Sequence, residues 1–139
     1  MTGSVRNVIT KRTFTFSNLQ AGQTQDIPLC RAIDVTGAKQ IDLAVRVHSR
    51  TVSSGQIDVI AQAVSLTEED PSTDFVYSTL AAGAVSLASI TLNVTAPVLH
   101  LASLSSPWGS MIRLLVRGTG ASSATIQASL SVDLVVYDN

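Results

Sequence analysis

The stretch Ile41-Asp42-Leu43-Ala44-Val45-Arg46-Val47-His48 decides the fold. Its odd positions are all aliphatic and its even ones mostly polar, a period of two that sends alternate side chains to opposite faces of a pleated strand. One face is predicted to enter a core, the other to meet solvent or a partner. Residues 125–137 repeat the rule over a longer run: Ile126, Ala128, Leu130, Val132, Leu134 and Val136 share one face, and Gln127, Ser129, Ser131 and Asp133 the other. Thr13-Phe14-Thr15-Phe16 and Ser89-Ile90-Thr91-Leu92-Asn93-Val94 alternate likewise, and Met111-Ile112-Arg113-Leu114-Leu115-Val116-Arg117 does so with one fault at Leu115. Residues 56–66 carry aliphatic side chains at both parities, Ile57, Val59, Ala61 and Ala63 against Ile60, Val64 and Leu66. That predicts a central strand covered on both faces, or one that shifts phase at a bulge.

The breaks between these runs are turn chemistry: Asn18-Leu19-Gln20-Ala21-Gly22, Thr36-Gly37-Ala38, Ser53-Ser54-Gly55, Ala81-Ala82-Gly83, Ser106-Pro107-Trp108-Gly109 and Gly118-Thr119-Gly120. No ten-residue segment carries a helical stripe. Strands are expected over residues 8–16, 24–33, 39–49, 56–66, 74–80, 86–95, 110–117 and 124–137, which predicts an all-β, two-sheet antiparallel sandwich of jelly-roll or Greek-key type. The 139 residues fit a single domain, with residues 1–8 as an extended N-terminal arm ahead of the first strand.

Charged residues make up only 14% of the chain, against roughly 25% in an average soluble protein. The 18 Ser and 14 Thr must therefore cover much of the surface that Lys and Glu usually cover. A net charge of −1 supplies no electrostatic footprint for nucleic acid, so no nucleic-acid partner is expected. The sequence opens without the apolar core of a secretory signal, which predicts synthesis in the cytoplasm. Residues 80–104 are apolar, but Asn93, Pro97 and His100 interrupt them; two strands and a connection are expected rather than a membrane span. Asn93-Val94-Thr95 matches a glycosylation sequon and reads as coincidence without a secretory route.

Candidate chemistry is sparse. Glu68-Glu69-Asp70-Pro71-Ser72-Thr73-Asp74 gathers four carboxylates that could draw Ca²⁺ to a loop, but it lacks the spacing and Gly of an EF-hand and reads as a solvated loop. Asp42 and Asp58, on neighbouring expected strands, are the pair a glycosidase would need; their outward alternation reads instead as surface Asp. His48 and His100 lack the clustered partners of a zinc site, and Cys30 reads as a small buried hydrophobe. No metal, no cofactor and no enzymatic activity are expected. Trp108, the sole tryptophan, could stack on a sugar as in a lectin-like module, anchor a protein interface, or plug one end of the sandwich.

The outward strand faces are poor in lysine, only Lys11 and Lys39 in the chain, although lysine commonly guards strand edges against association. A β-sandwich so unguarded is expected to have its surface occupied by neighbours. The segments Arg12-Thr13-Phe14-Thr15-Phe16-Ser17-Asn18-Leu19, Ile41–Arg50, Glu69–Phe75 and Val132-Asp133-Leu134-Val135-Val136-Tyr137 give the chain a style that resembles the small β-sandwich structural proteins of tailed bacteriophages. The resemblance implies a non-enzymatic virion component that binds capsid subunits as a cement or decoration protein, or else a tail or connector protein. It also implies a homo-oligomer, a trimer being one arrangement. The expected contacts are residues 2–12, including Arg6, Lys11 and Arg12, together with Trp108 and the cations Arg46, Arg50, Arg113 and Arg117.

Overall fold

A computed structural model describes residues 2–17, 19–30, 32–51, 55–64, 85–92, 98–108, 111–121 and 125–138. These form nine strands: β1 (Thr2–Phe16), β2 (Thr24–Pro28), β3 (Ile33–Asp34), β4 (Gln40–Thr51), β5 (Gln56–Val64), β6 (Val85–Thr91), β7 (Val98–Ser103), β8 (Met111–Thr119) and β9 (Ile126–Asp138). A four-stranded sheet has the order β1-β9-β4-β7, and a five-stranded one the order β2-β8-β5-β6 with β3 also on β8. All described pairings are antiparallel. Because β2 pairs with the distal half of β8 and β3 with its start, the two act as halves of one interrupted strand. The chain then passes between sheets in the order of a jelly roll, one of the two sandwich types expected, although alternation alone does not fix the connectivity.

The core lies between the sheets. Ile41, Leu43, Val45 and Val47 of β4 are fully buried, as are Ile126, Leu130, Val132 and Leu134 of β9, facing Ile57, Val59 and Ala61 of β5 and Ile112, Leu114 and Val116 of β8. Fully burying one such aliphatic side chain is worth about 1.5–3 kcal/mol, so these stripes dominate the favourable side of folding. The expected central strand is found: β5 lies between β8 and β6, and its outward Ile60 is buried with Leu115 in a second, smaller cluster. Burial on both faces of β8 also explains the break in its alternation at Leu115.

Three expectations change. Residues 2–8, read as an arm, belong to β1 and pair along β9 from Thr2↔Asp138 to Asn7↔Asp133. Residues 3–7 are exposed, so ladder hydrogen bonds rather than an apolar stripe hold this edge, and nothing alternates there to be read. Residues 98–103, absent from the expected strands, form β7. Gly118 and Thr119, read as a turn, are the end of β8; a side chain at Gly118 would lie 2.5 Å from the buried Phe16 ring, so glycine there allows a close approach between sheets. Residues 74–80 lie outside the described residues.

Two polar pins hold the edge strands. The sequence Gln-Ile-Asp occurs at 40–42 and at 56–58, opening β4 and β5. Asp42 accepts hydrogen bonds from Gln40 Nε2 (3.2 and 3.3 Å) and from Ser103 Oγ of the edge strand β7 (2.7 Å). Asp58 accepts from Gln56 Nε2 (3.0 and 2.8 Å) and from Thr91 Oγ1 of the edge strand β6 (2.6 Å). The same device thus fastens one edge of each sheet to its neighbour.

Asp58→Ala removes the acceptor of these bonds while its donors Gln56 and Thr91 are exposed and can turn to water, and is expected to lower stability by about 0.5–1.5 kcal/mol in urea unfolding. Gly118→Ala is expected to lower it by about 1–3 kcal/mol, because the new methyl group must displace Phe16 from a filled core.

Candidate interaction face

The outer face of the four-stranded sheet carries the exposed large apolar side chains found among the described residues, Val5 at 67%, Leu99 at 50% and Leu101 at 69% exposure. Two of them come from an inverted alternation in β7. Its pairing sets His100 opposite the buried Val45 and Ala102 opposite Leu43, which turns Val98, His100 and Ala102 inward and leaves the leucines outside. Across the sheet, Leu101 lies level with Ala44, Asp133 and Asn7, and Leu99 with Arg46 and Ser131. Asp42, Leu101, Ala102, Ser103, Val135 and Tyr137 line a cleft of about 330 Å³ at the same end.

Polar contacts brace this face. His48 Nε2 lies 2.7 Å from Ser131 Oγ, which accepts the Lys11 backbone N–H at 2.9 Å. Lys11 sits among the register shifts of β1 with φ at 46°, so the serine secures an irregular edge to β9. Although serine and histidine are within reach, the backbone donor at the pair is engaged on the hydroxyl oxygen itself, where a bracing role suffices. Asn7 Nδ2 donates to Asp133 Oδ1 (2.8 Å) and Thr10 Oγ1 to Asn7 Oδ1 (3.0 Å).

The expected contact residues are dispersed. Arg46 is exposed beside Leu99 on this face. Arg6 reaches from β1 to the other sheet, where Nη1 donates to the Asp34 carbonyl (2.7 Å); the hydrogen bonds that Thr36 makes to the Asp34 side chain hold that carboxyl below its usual range. The Arg12 guanidinium lies 4.9 Å from the Phe14 ring centroid, an edge cation over a buried aromatic. Arg50 is half-buried. Arg117 grips Asp26 through Nε (2.7 Å) and Nη2 (3.0 Å), which raises its pKa above the ordinary value. Arg113 does not fit the expectation of a surface contact: it is 1% exposed and its Nε donates to Gln62 Oε1 (2.8 Å) within the covered outer side of β5 and β8.

Trp108 is half-buried and packs against the core. Asp42 and Asp58 are not brought together. They lie on the outer sides of different sheets, each occupied by its own pin, because β4 and β5 are neighbours in sequence but not in one sheet. Cys30 is half-buried against the core. Among the described residues no group of three His, Cys, Asp or Glu could hold a metal ion, and no helix is long and apolar enough to cross a membrane. The acidic segment 68–74 and the sequon at Asn93 lie outside the described residues.

No protein-family model matches this chain, and no curated protein matches it. Its fold is similar to solved structures from infectious bursal disease virus. Similarity to the Gx-strain structure extends over 97% of this chain and 31% of that one (TM-score 0.58, 13% identity). For the VP2 subviral particle the shares are 97% and 32% (TM-score 0.58, 14% identity), and for the Gt strain 99% and 32% (TM-score 0.56, 10% identity). The chain therefore spans about a third of the length of these neighbours, and what it has in common with them is the antiparallel jelly-roll sandwich.

Proposed function

We propose that this protein is a non-enzymatic structural component of a virion, binding capsid subunits as a cement or decoration protein. The observation that carries the reading is the likeness of nearly the whole chain to part of a viral capsid protein. The chemistry of the surface agrees with it. The four-stranded sheet turns Leu99, Leu101 and Val5 outward, and its residues engage in bracing contacts. Such a face gains free energy by being covered, at about 25 cal/mol per Å² of apolar surface removed from water.

The mechanism is linkage. A module that binds the assembled shell better than its free subunits stabilises the shell by mass action and needs no chemical step. On this reading the protein is made in the host cytoplasm and resides in the virion, its partners being virion proteins.

Density-gradient fractionation of cells that produce the chain tests this. The chain is expected to band with particles of megadalton mass and to be identified there by mass spectrometry at stoichiometric level. Particles stripped of it are expected to disassemble at lower temperature and to recover when the purified chain is returned. A chain found only in low-mass fractions, with no effect on particle disassembly, contradicts the proposal.

A further inference from the structure

We propose that the edge of β7 that no described strand covers is a self-association surface, on which a second copy of this chain pairs antiparallel about a two-fold axis at His100 and joins two four-stranded sheets into one. The proposal stands on β7 alone and holds whether or not the chain belongs to a virion.

The hydrogen-bond phase of the strand comes first. Leu104 N–H donates to the Ile41 carbonyl (2.9 Å), one step beyond the pair Asp42↔Ser103. In an antiparallel ladder bonded and non-bonded pairs alternate, so His100 and Ala102 exchange their backbone bonds with β4. The N–H and C=O groups of Leu99, Leu101 and Ser103 then point to the other side, where β7 pairs with no described strand. Edges of this kind are usually blunted by lysine, proline or a bulge, and Val98–Ser103 contains none of these.

The sequence of β7 matches itself when reversed. An antiparallel copy centred on His100 sets Leu99 opposite Leu101 of the second copy and Leu101 opposite its Leu99. Both pairs are odd-numbered, so they fall at bonding positions, where they form about four ladder hydrogen bonds. Four leucine side chains meet on the outer face, and each loses exposed apolar surface. A two-fold centred on Leu101 would match a single leucine pair, so the apolar pattern selects His100.

At the dyad the two His100 residues occupy a non-bonded pair, the closer of the two antiparallel spacings.

The test is the mass of the purified chain by sedimentation equilibrium over a wide concentration range. The native chain is expected to shift from monomer to dimer as concentration rises. Leu99→Lys with Leu101→Lys is expected to weaken the dimer at least tenfold, whereas Val5→Lys, an equally exposed apolar position on β1 at the far edge of the sheet, leaves it unchanged. In a Cys30→Ala background, His100→Cys is expected to form a covalent dimer on mild oxidation, because a non-bonded antiparallel pair holds Cα atoms at about 4.5 Å, within disulfide range. A chain that remains monomeric throughout, or a dimer broken by Val5→Lys and indifferent to the lysines on β7, overturns the proposal.

Discussion

The structure depends on the packing of two aliphatic stripes, that of β4 and β9 against that of β5 and β8. Each stripe exists because side chains of one parity are aliphatic over the whole strand, and a slip of one residue would turn every one of them to water. Ile41, Leu43, Val45 and Val47 fix the phase of β4, and β9 follows it from Gln40↔Tyr137 to Thr51↔Gln127 with one shift near His48. Once that phase is set, the positions of Arg46, Asp42 and Ala44 on the outer face are determined as well. The candidate face is thus a consequence of the core.

Burial governs how well each part could be read in advance. The inner strands β4 and β9 are half-buried and show a clean alternation. Those of the other sheet, β5 and β8, are covered on both sides, so their mixed parity still marks them as central. Edge strands give weaker signals. The first half of β1 is held by backbone bonding to β9 and has exposed side chains, so Gly3, Ser4 and Arg6 look like a loose arm in sequence. In β7 the alternation is present but inverted, with leucines outside and a histidine inside, and a rule that sends apolar residues inward cannot place it.

The candidate residues divide along the same line. The phase of β4 places Arg46 and Asp42 outward, and both are outward in the structure. Arg113 also alternates as an outward residue, yet it is buried, since alternation says which side of a sheet a residue takes and not whether that side is covered. Asp42 and Asp58 are neighbours only in the order of the expected strands, and the jelly-roll connection carries the chain to the other sheet between them, in keeping with their reading as separate outward residues. Leu99 and Leu101 carry no signal in the sequence, because outward leucines on an edge become one only when the edge itself is known.

Amide hydrogen exchange resolved by residue tests this account most directly, since it reads both the phase of the core and the state of the edge. Amides of β4 and β9 are expected to exchange only through global unfolding. In β7 the amides of His100, Ala102 and Leu104 are expected to be protected at every concentration, while those of Leu99 and Leu101 exchange freely in dilute solution and slow as concentration rises. Protection of Leu99 and Leu101 equal to that of His100 in dilute solution would mean that the chain covers this edge itself, and would contradict the account.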